Sequence, residues 1–366
     1  MLIRYSKIFL MQEAILVMDE KPRNRVSLKD LANHLGVSKT LVSAVLNGKA
    51  KQYRISGETA LMVKQAANEL HYSPNMIAKG LRTGNSQLIG LIVTDISNPF
   101  YSTISRIIEN KTDEINYKVI FGSSDESLVK TRQLIDVMLD KGVAGLIIVP
   151  CEGSQGLVAD LHSRNIPVVL IDRYFPELEV SYSCLNNYNA TRQATIHLIE
   201  QGYRNISLIA YKSSLSNIKD RILGYRETMV AHALGKHVNV KSVNIDNPLP
   251  EVEKALDYLI HRKGAEAVIF ITNALLVAGL RSLNKLNKRI PDEVAVVGFY
   301  GSELFDLYYS PITYVKQPIE IITEEAVNTL IDKIKYGENR KFSKTFIEPE
   351  LVIQQSSVKP ASTGCN

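Results

Sequence analysis

From Leu88 onward, short apolar runs alternate with longer amphipathic stretches, and this alternation constrains the fold more than any other feature of the chain. Strands are predicted at Ile89–Val93, Lys118–Phe121, Gly145–Val149, Val168–Ile171, Ile206–Ala210, Ala267–Ile271 and Val294–Phe299. Helices are predicted between them, for example at Tyr101–Asn116, Leu128–Lys141, Ala190–Gln201, Lys219–Ala233 and Pro250–Arg262. Strands that alternate with helices of this length form βαβ units, whose parallel sheets are buried on both faces. The body is therefore predicted to be α/β, and it is too long for a single sheet.

The N-terminal quarter follows a different pattern, and its residues 26–47 read VSLKDLANHLGVSKTLVSAVLN. Ser27 and Asp30 have the spacing of a helix N-cap and its returning carboxylate, and the apolar residues after Ser27 recur at helical spacing. Gly36 permits the positive φ of a sharp turn, and Ser38 caps a second helix. Two short helices joined by a tight turn are typical of a helix-turn-helix, although any small helical bundle contains such hairpins.

The second of these helices has the polar surface of a DNA-reading helix. Its exposed positions are predicted to be Lys39, Thr40, Ser43 and Ala44. In a helix-turn-helix the first residues of the second helix enter the major groove, where hydroxyls and lysines meet base edges or phosphates. A third helix is predicted to begin at Ser56 and to end before Pro74.

The charge of the chain is concentrated at its N-terminal end. Residues 1–84 carry 13 Lys and Arg against 6 Asp and Glu, a net charge of +7, and the remaining residues carry 30 against 32, a net charge of −2. This distribution indicates a polyanion-binding module beside a near-neutral body, with a basic solvated surface as the alternative.

Several classes of protein are disfavoured by the sequence. No segment reaches the roughly 20 apolar residues that span a bilayer, and Glu13 interrupts the apolar segment near the N-terminus, which is predicted to be a cytoplasmic extension rather than a signal peptide. The cysteines Cys151, Cys184 and Cys365 have no metal-ligand spacing and are expected to be reduced thiols of a cytoplasmic protein. Motifs for phosphate binding, nucleophilic catalysis and zinc are missing, so no enzyme activity, metal or cofactor is predicted.

Three segments in this order and spacing resemble the LacI/GalR family of bacterial transcriptional regulators: VSLKDLANHLGVSKTLVSAVLN, ELHYSPNMIAKGLRTG and LIGLIVTDISNPFY. The resemblance implies a multidomain protein with an all-α helix-turn-helix head and a two-lobed α/β body like that of periplasmic binding proteins. The expected divisions are an extension at 1–25, the head at 26–73, a hinge helix and linker at 74–86, and the body at 87–360. The first lobe is expected at about 87–185 and 318–345, and the second at about 186–316 and 346–360.

The family resemblance also implies partners. The expected function is that of a homodimeric regulator, most often a repressor, on a pseudopalindromic double-stranded DNA operator, controlled by a sugar or related small effector. An apolar dimer patch is expected on the helices Phe100–Ile115 and Leu128–Leu139. A solute-binding receptor without a role on DNA is the alternative. Replacing Leu81 by Ala would weaken operator binding by a regulator and would have no effect on DNA in a receptor.

The resemblance places residues 75–81 as a hinge helix in the minor groove, with Leu81 wedged into the central base step. Together with the helix-turn-helix, it assigns DNA contacts to Ser27, Leu28, Ser38, Lys39, Thr40, Ser43, Asn47, Tyr72, Asn75, Ala78, Lys79 and Leu81.

The effector is expected between the lobes, since ligands of open parallel sheets bind beyond the carboxyl ends of the strands. The expected contacts are Asp95, Phe100, Ser124, Asp125, Arg173, Asn186, Arg221, Asn273 and Tyr300. Arg221 is the strongest of these expectations, because it stands in DRILGY, where the family also has an arginine.

The chain departs from the family pattern at both sites. Ala44 stands where many members have a base-reading arginine, and the loop Gly48–Ile55 is longer than the common form. Ala274 and Tyr300 stand where carboxylates are usual. These changes suggest a more anionic effector, or a site that binds nothing.

Overall fold

In the computed structural model, the described residues are 26–72, 86–301, 303–337 and 342–359. The chain divides into two compact units, residues 1–85 and 86–366, which are called the head and the body below. The predicted extension at 1–25 and the hinge residues Asn75, Ala78, Lys79 and Leu81 lie outside the described residues.

The head consists of three helices: α1 at Leu28–Leu35, α2 at Lys39–Leu46 and α3 at Gly57–Glu69. Ser27 caps α1 and forms a capping box with Asp30, as the sequence predicted. Gly36 ends α1 with a φ of 65°, which the absence of a Cβ allows at little cost. The side chain of Ser38 caps α2 by accepting a hydrogen bond from the backbone N–H of Leu41.

A small apolar core holds the three helices together. Its buried members include Leu31 of α1, Val42 and Val45 of α2, and Val63 and Ala66 of α3. These residues recur at helical spacing in the sequence, so each helix turns one apolar face towards the others. The predicted helix-turn-helix followed by a third helix is confirmed.

The body contains twelve described strands. They are β1 Leu88–Val93, β2 Lys118–Ser123, β3 Gly145–Ile148, β4 Val168–Ile171, β5 Ser181–Leu185, β6 Ile206–Tyr211, β7 Asn239–Val243, β8 Ala267–Phe270, β9 Ala295–Phe299, β10 Thr313–Lys316, β11 Lys344–Ile347 and β12 Glu350–Val352. They form two six-stranded sheets in the orders β11-β5-β4-β3-β1-β2 and β12-β10-β9-β8-β6-β7. All described pairs are parallel except β10 with β12.

Helices connect these strands. They are α4 Pro99–Glu114, α5 Leu128–Asp140, α6 Gln155–Ser163, α7 Asn187–Glu200, α8 Ser216–Ala231, α9 Pro248–His261, α10 Asn273–Lys285, α11 Glu303–Asp306 and α12 Ile319–Tyr336, with 3₁₀ turns at Gly235–His237 and Gln355–Ser357. The first sheet with α4, α5, α6 and α12 is called the first lobe, and the second sheet with α7–α11 is called the second lobe. This is the predicted two-lobed α/β body.

The chain passes between the lobes three times. The crossings follow β5, β10 and β11, since each of these strands belongs to one sheet and the next element belongs to the other lobe. Phe346 and Ile347 pair with Cys184 and Leu185 in the first sheet, so the third crossing follows Ile347, close to the expected boundary at about 346. The second lobe therefore resumes only at β12.

Five strands were not among those predicted: β5, β7, β10, β11 and β12. β5 reads SYSCL and is buried at every position although it contains two serines. The Ser183 hydroxyl donates to the carbonyl oxygen of Ile322 at 2.8 Å, and the Ser181 hydroxyl accepts from the backbone N–H of Ser343 at 3.1 Å. Distant partners thus satisfy polar groups that would otherwise be costly to bury.

Among the described residues, no helix is long and apolar enough to cross a membrane, and no group of His, Cys, Asp and Glu side chains has the arrangement of a metal site.

We expect Gly224→Ala to lower the free energy of unfolding by about 2 kcal/mol, because overpacking of a close helix contact forces the backbone to shift. A Cβ at Gly224 of α8 would stand 2.2 Å from the carbonyl oxygen of Tyr188 in α7. The matched control is Gly156→Ala in α6, where a Cβ meets nothing within 4 Å. Urea unfolding of the two variants measures the difference, and equal stabilities would contradict the close packing of α7 on α8.

Candidate functional site

The start of α2 presents exposed polar residues of the head. Lys39 and Thr40 are exposed on its first turn, directly after the cap Ser38. No acidic residue occurs in that turn, so the positive end of the helix dipole adds to the charge of Lys39. This end of α2 is suited to an anionic partner.

The other described residues of the predicted DNA surface have structural contacts. Ser27 donates to Asp30 through its backbone N–H at 2.9 Å and its hydroxyl at 2.7 Å, and these hydrogen bonds hold the pKa of the Asp30 carboxyl below its usual value. Leu28 and Tyr72 are half-buried against the head core, and burial raises the pKa of Tyr72. The Asn47 amide donates to the Ser43 carbonyl oxygen at 2.7 Å and ends α2.

Ala44 is a correction to the sequence analysis, which had placed it on the exposed face of α2. Its exposed fraction is only 5%. The loop after α2 turns back towards the helix, with the Lys49 N–H donating to the Ala44 carbonyl oxygen at 2.8 Å. The position that carries an arginine in many family members is therefore covered here.

The body contains a cavity of about 430 Å³ between the two lobes. It lies at the carboxyl ends of strands from both sheets, as expected for parallel sheets. Its lining is Thr94, Asp95, Asn98, Phe100, Tyr101, Asp125, Glu126, Asp172 and Arg173 from the first lobe, Tyr211, Ser213, Leu215, Asn217, Ile218, Arg221, Ile245, Asp246, Thr272, Asn273, Ala274, Phe299 and Tyr300 from the second, and Gln317 from the crossing after β10.

Seven of the nine predicted effector contacts line this cavity, and two do not. Ser124 is fully buried, with no hydrogen-bond partner for its hydroxyl among the described residues. Asn186 caps α7, and its amide donates to Glu348 at 2.7 Å. Asn186 therefore belongs to the crossing between the lobes rather than to the cavity wall.

The Arg173 guanidinium is bound almost entirely by the protein. Its two terminal nitrogens donate to both carboxylate oxygens of Glu126 at 2.7 and 2.8 Å. They also donate to the Pro150 carbonyl oxygen at 3.1 Å and to the Tyr101 hydroxyl at 3.2 Å. The remaining Nε lies 3.4 Å from the Asp172 carboxylate. Nε makes no hydrogen bond among the described residues, so the protein occupies the two terminal nitrogens of Arg173 and leaves only Nε for a ligand.

Burial and charge act in opposite directions on this cluster. Burial alone would lower the pKa of Arg173, but Tyr101, Glu126 and Asp172 together raise it above its usual value. Burial raises the pKa of Tyr101, whose hydroxyl donates to Asp172 at 3.0 Å. Arg173 remains charged and fixed against the carboxylates around it.

Arg221 is equally buried but has neutral partners. Its Nε donates to the Asn187 side-chain oxygen at 2.7 Å, its Nη1 donates to the Ile271 carbonyl oxygen, and its Cζ lies 4.3 Å from the centre of the Phe299 ring. Burial lowers the pKa of Arg221 to about 10, so the group is still a cation at neutral pH. Among the ion pairs of the described residues, none involves Arg221. A buried cation without a carboxylate partner favours a ligand that accepts hydrogen bonds.

Two side-chain oxygens of the lining can accept hydrogen bonds, whereas Arg221 can only donate them. Asn273 Oδ1 and Gln317 Oε1 are buried and have no hydrogen-bond partner among the described residues. Both residues line the cavity. Since buried polar atoms are nearly always paired, these oxygens favour a ligand that donates hydrogen bonds.

The cavity lining is acidic as a whole. It contains the carboxylates Asp95, Asp125, Glu126, Asp172 and Asp246 but only the cations Arg173 and Arg221. Lys130, outside the lining, pairs with Asp125. The loss of carboxylates at Ala274 and Tyr300 had suggested an anionic effector. Carboxylates from other parts of the chain nevertheless make the cavity acidic.

Tyr300 crosses the cavity from the second lobe to the first. Its ring lies edge-on to Phe100, with the ring centres 5.7 Å apart, and its hydroxyl is 3.5 Å from that of Thr103. Its φ of 68° is rare for a bulky residue and places it among the strained positions that cluster at functional sites. Tyr300 therefore narrows the cavity where its ring meets Phe100.

Sequence reasoning missed several residues of the lining. Tyr211 is the last residue of β6, so the rule on strand ends would have found it. Gln317 follows β10, which was not predicted as a strand. No motif near Glu126 indicated a function, because its carboxylate matters through its pairing with Arg173, which is distant in the sequence.

Comparison with known proteins adds independent information. The family model for bacterial regulatory proteins of the lacI family matches residues 27–75, and a model for a periplasmic binding protein-like domain matches residues 195–357. A ribose operon repressor from Halalkalibacterium halodurans is 31% identical over 84% of this chain and 90% of its own length. A sucrose operon repressor from Pediococcus pentosaceus is 31% identical over 89% of this chain and 97% of its own length.

Solved structures show the same fold. A complex of the transcriptional regulator CelR with cellobiose has a TM-score of 0.66 and 26% identity, covering 90% of this chain and 99% of that one. The lac repressor dimer bound to operator and the anti-inducer ONPF has a TM-score of 0.78 at 20% identity, covering 92% of this chain and 100% of that one.

We expect Glu126→Gln to lower the free energy of unfolding by roughly 2 kcal/mol, because the buried Arg173 would lose its charged partner. The matched control is Asp113→Asn, which breaks the exposed pair with Lys118. That pair should contribute less than about 1 kcal/mol. Urea unfolding measures both changes, and a Glu126 variant as stable as the control would show that Arg173 does not depend on this carboxylate.

Proposed function

Because this chain belongs to the LacI family of bacterial regulatory proteins, we propose that it binds a pseudopalindromic DNA operator as a homodimer. We further propose that a small polyhydroxylated effector in the interlobe cavity controls this binding. The observation that carries the proposal is the pairing of a helix-turn-helix head with a two-lobed body that encloses a polar cavity. A regulator needs both parts, whereas a solute receptor has no use for the head.

The start of α2 is the proposed DNA-reading surface. Lys39 and Thr40 are exposed there, and Ser38 fixes the direction of the helix by capping it. We assign Lys39 to a phosphate and Thr40 to a base edge, in keeping with the chemistry of these groups. Since Ala44 is covered, the operator should differ from those of relatives that read a base with an arginine there. Ser27, Leu28 and Tyr72 contribute by holding the backbone, and the hinge residues 75–81 remain a prediction from the resemblance.

Exposed apolar side chains on the first lobe support the dimer. Leu128, Val129 and Val137 of α5 are 40%, 67% and 54% exposed, and Phe121 of the edge strand β2 is 41% exposed. Exposed apolar side chains of this kind are common at protein interfaces. A homodimer would also explain a two-fold-symmetric operator.

The cavity favours a neutral effector rich in hydroxyl groups. The Arg221 guanidinium can donate hydrogen bonds to a ligand, whereas the side-chain oxygens of Asn273 and Gln317 can accept them. A sugar hydroxyl donates and accepts at once, so one class of ligand meets both demands. A phosphate or carboxylate would instead meet an excess of carboxylates, which disfavours anions. The relatives named for ribose, sucrose and cellobiose are consistent with a neutral sugar.

No catalytic role is proposed, and the expected location is the cytoplasm, where a regulator reaches chromosomal DNA. The effector would act by preferring one of two arrangements of the dimer and so shifting the population that binds DNA.

Selection from randomised duplexes by the purified protein should recover a motif with two-fold symmetry. Lys39→Ala should weaken binding to all sequences and should reduce the slope of log affinity against log salt by about 2, because the dimer loses one phosphate contact in each half-site. Thr40→Ala should instead relax the preference at one base pair in each half-site.

The control for the lysine is Lys141→Ala, which removes the same charge from an exposed position of the body. It should leave the affinity and the salt slope unchanged. Recovery of no motif, or an equal loss for both lysine variants, would speak against the assignment of α2.

Arg221→Lys should weaken effector binding by about 10- to 100-fold, because a lysine cannot make the forked hydrogen bonds of a guanidinium. Ribose, sucrose and cellobiose would be tested by thermal shift and isothermal titration, with glucose 6-phosphate as an anionic comparison. The control Arg281→Lys changes an exposed position of α10 and should bind like the wild type. A response to the phosphate alone, or unchanged binding by the Arg221 variant, would contradict the proposed effector class.

A further inference from the structure

The two lobes are also joined outside the effector cavity. Five residues make these contacts: Glu152 and Tyr174 of the first lobe, and Ser214, Ser216 and Asp220 of the second. None of them lines the large cavity, but all five line a smaller space of about 120 Å³. We call this group the rim latch.

Glu152 forms the first part of the rim latch. It follows β3 by four residues, and its carboxylate accepts a hydrogen bond from the Ser214 backbone N–H at 2.9 Å. The Ser214 hydroxyl also donates to the same oxygen. These bonds hold the pKa of Glu152 below its usual value. A charged acceptor in the first lobe thus meets two donors of the second.

Tyr174 forms the second part. Its backbone N–H donates to the Ser216 hydroxyl at 3.0 Å, and its own hydroxyl donates to the Asp220 carboxylate at 3.0 Å. Its ring stacks on Tyr182, with the ring centres 4.6 Å apart, and lies edge-on to Phe346 at 5.3 Å. Because Tyr182 and Phe346 both belong to the first lobe, Tyr174 is already fixed in the position from which it reaches Asp220.

The rim latch acts on the start of α8, which is part of the effector site. The residue before α8, Leu215, provides no side-chain cap, and neighbouring polar groups of this segment bond to the first lobe instead. Asn217 and Arg221 of the same helix line the cavity. Closing the rim latch therefore also places the second-lobe wall of the effector site.

We propose that the rim latch holds the two lobes closed before any effector enters, so that the effector binds a preformed cavity. Four hydrogen bonds join the lobes here, and each typically shifts an equilibrium by about threefold to tenfold, more where one partner is charged. An effector that found the lobes open would lose apparent affinity in proportion to the open fraction. The proposal concerns the lobes alone and does not depend on the identity of the operator or the effector.

The test is an electron-spin distance measurement on the full chain without added ligand or DNA. Spin labels would be placed at Arg164→Cys in the first lobe and Lys236→Cys in the second, both exposed positions, with Cys365→Ser to remove a competing thiol. Cys151 and Cys184 are buried and should react slowly. Mixing with an excess of unlabelled chain suppresses distances between subunits of a dimer.

The wild type should show a single short distance. The double variant Glu152→Ala, Tyr174→Phe should add a longer distance, with the open-to-closed ratio raised at least tenfold. Ser214→Ala, an exposed change on the second lobe, should shift the ratio in the same direction by a smaller factor. The control Glu177→Ala removes an exposed carboxylate beside the rim latch and should leave the distribution unchanged.

Two results would overturn the proposal. One is a wild type that already shows comparable short and long populations. The other is a Ser214→Ala chain and a folded double variant that both keep the single short distance. Failure of the operator or sugar experiments would not affect this readout, since the labelled chain is measured without DNA or effector.

Discussion

The pairing of Arg173 with Glu126 organises the first lobe around the cavity. Arg173 follows β4, Glu126 follows β2, Pro150 follows β3 and Tyr101 lies on α4, so one guanidinium joins the ends of three strands to a helix. Burying this cation would be costly without a carboxylate, and the geometry with Glu126 is bidentate. The cavity wall of the first lobe is therefore held in place by the protein itself.

The second lobe uses its buried arginine differently. Arg221 donates to an amide oxygen and a backbone carbonyl and packs on the Phe299 ring. It forms no ion pair among the described residues, although the Asp172 and Asp220 carboxylates act on its charge electrostatically. Two arginines of similar burial thus have different capacities for a ligand. The difference lies in their neighbours. Arg173 is paired with a carboxylate and holds the cavity wall together, whereas Arg221 has neutral hydrogen-bond partners and is suited to bind a ligand. The acidity of the remaining lining then favours an uncharged partner.

The head illustrates how much local chemistry alone decides. The Ser27–Asp30 capping box, the turn at Gly36 and the cap at Ser38 each depend on residues within a few positions of one another. The sequence therefore predicted their structure correctly. Ala44 is the exception, because the helical pattern predicted it to be exposed and it is buried. The periodicity of a helix predicts the direction in which a side chain points, but it does not predict which other segments of the chain bury that side chain.

Periodicity and capping over short stretches were enough to predict the two-part organisation, the helix-turn-helix and the α/β class of the body. The strand-end rule also found six residues of the cavity, since parallel strands bring their carboxyl ends to one edge, and the family resemblance supplied Arg221. Three other features could not be read from the sequence: β5 is a buried strand, Ser124 is buried without lining the cavity, and Glu126 binds Arg173 across 47 residues of sequence. These outcomes depend on contacts between distant segments, and the partner of a buried polar group is fixed only when the chain has folded.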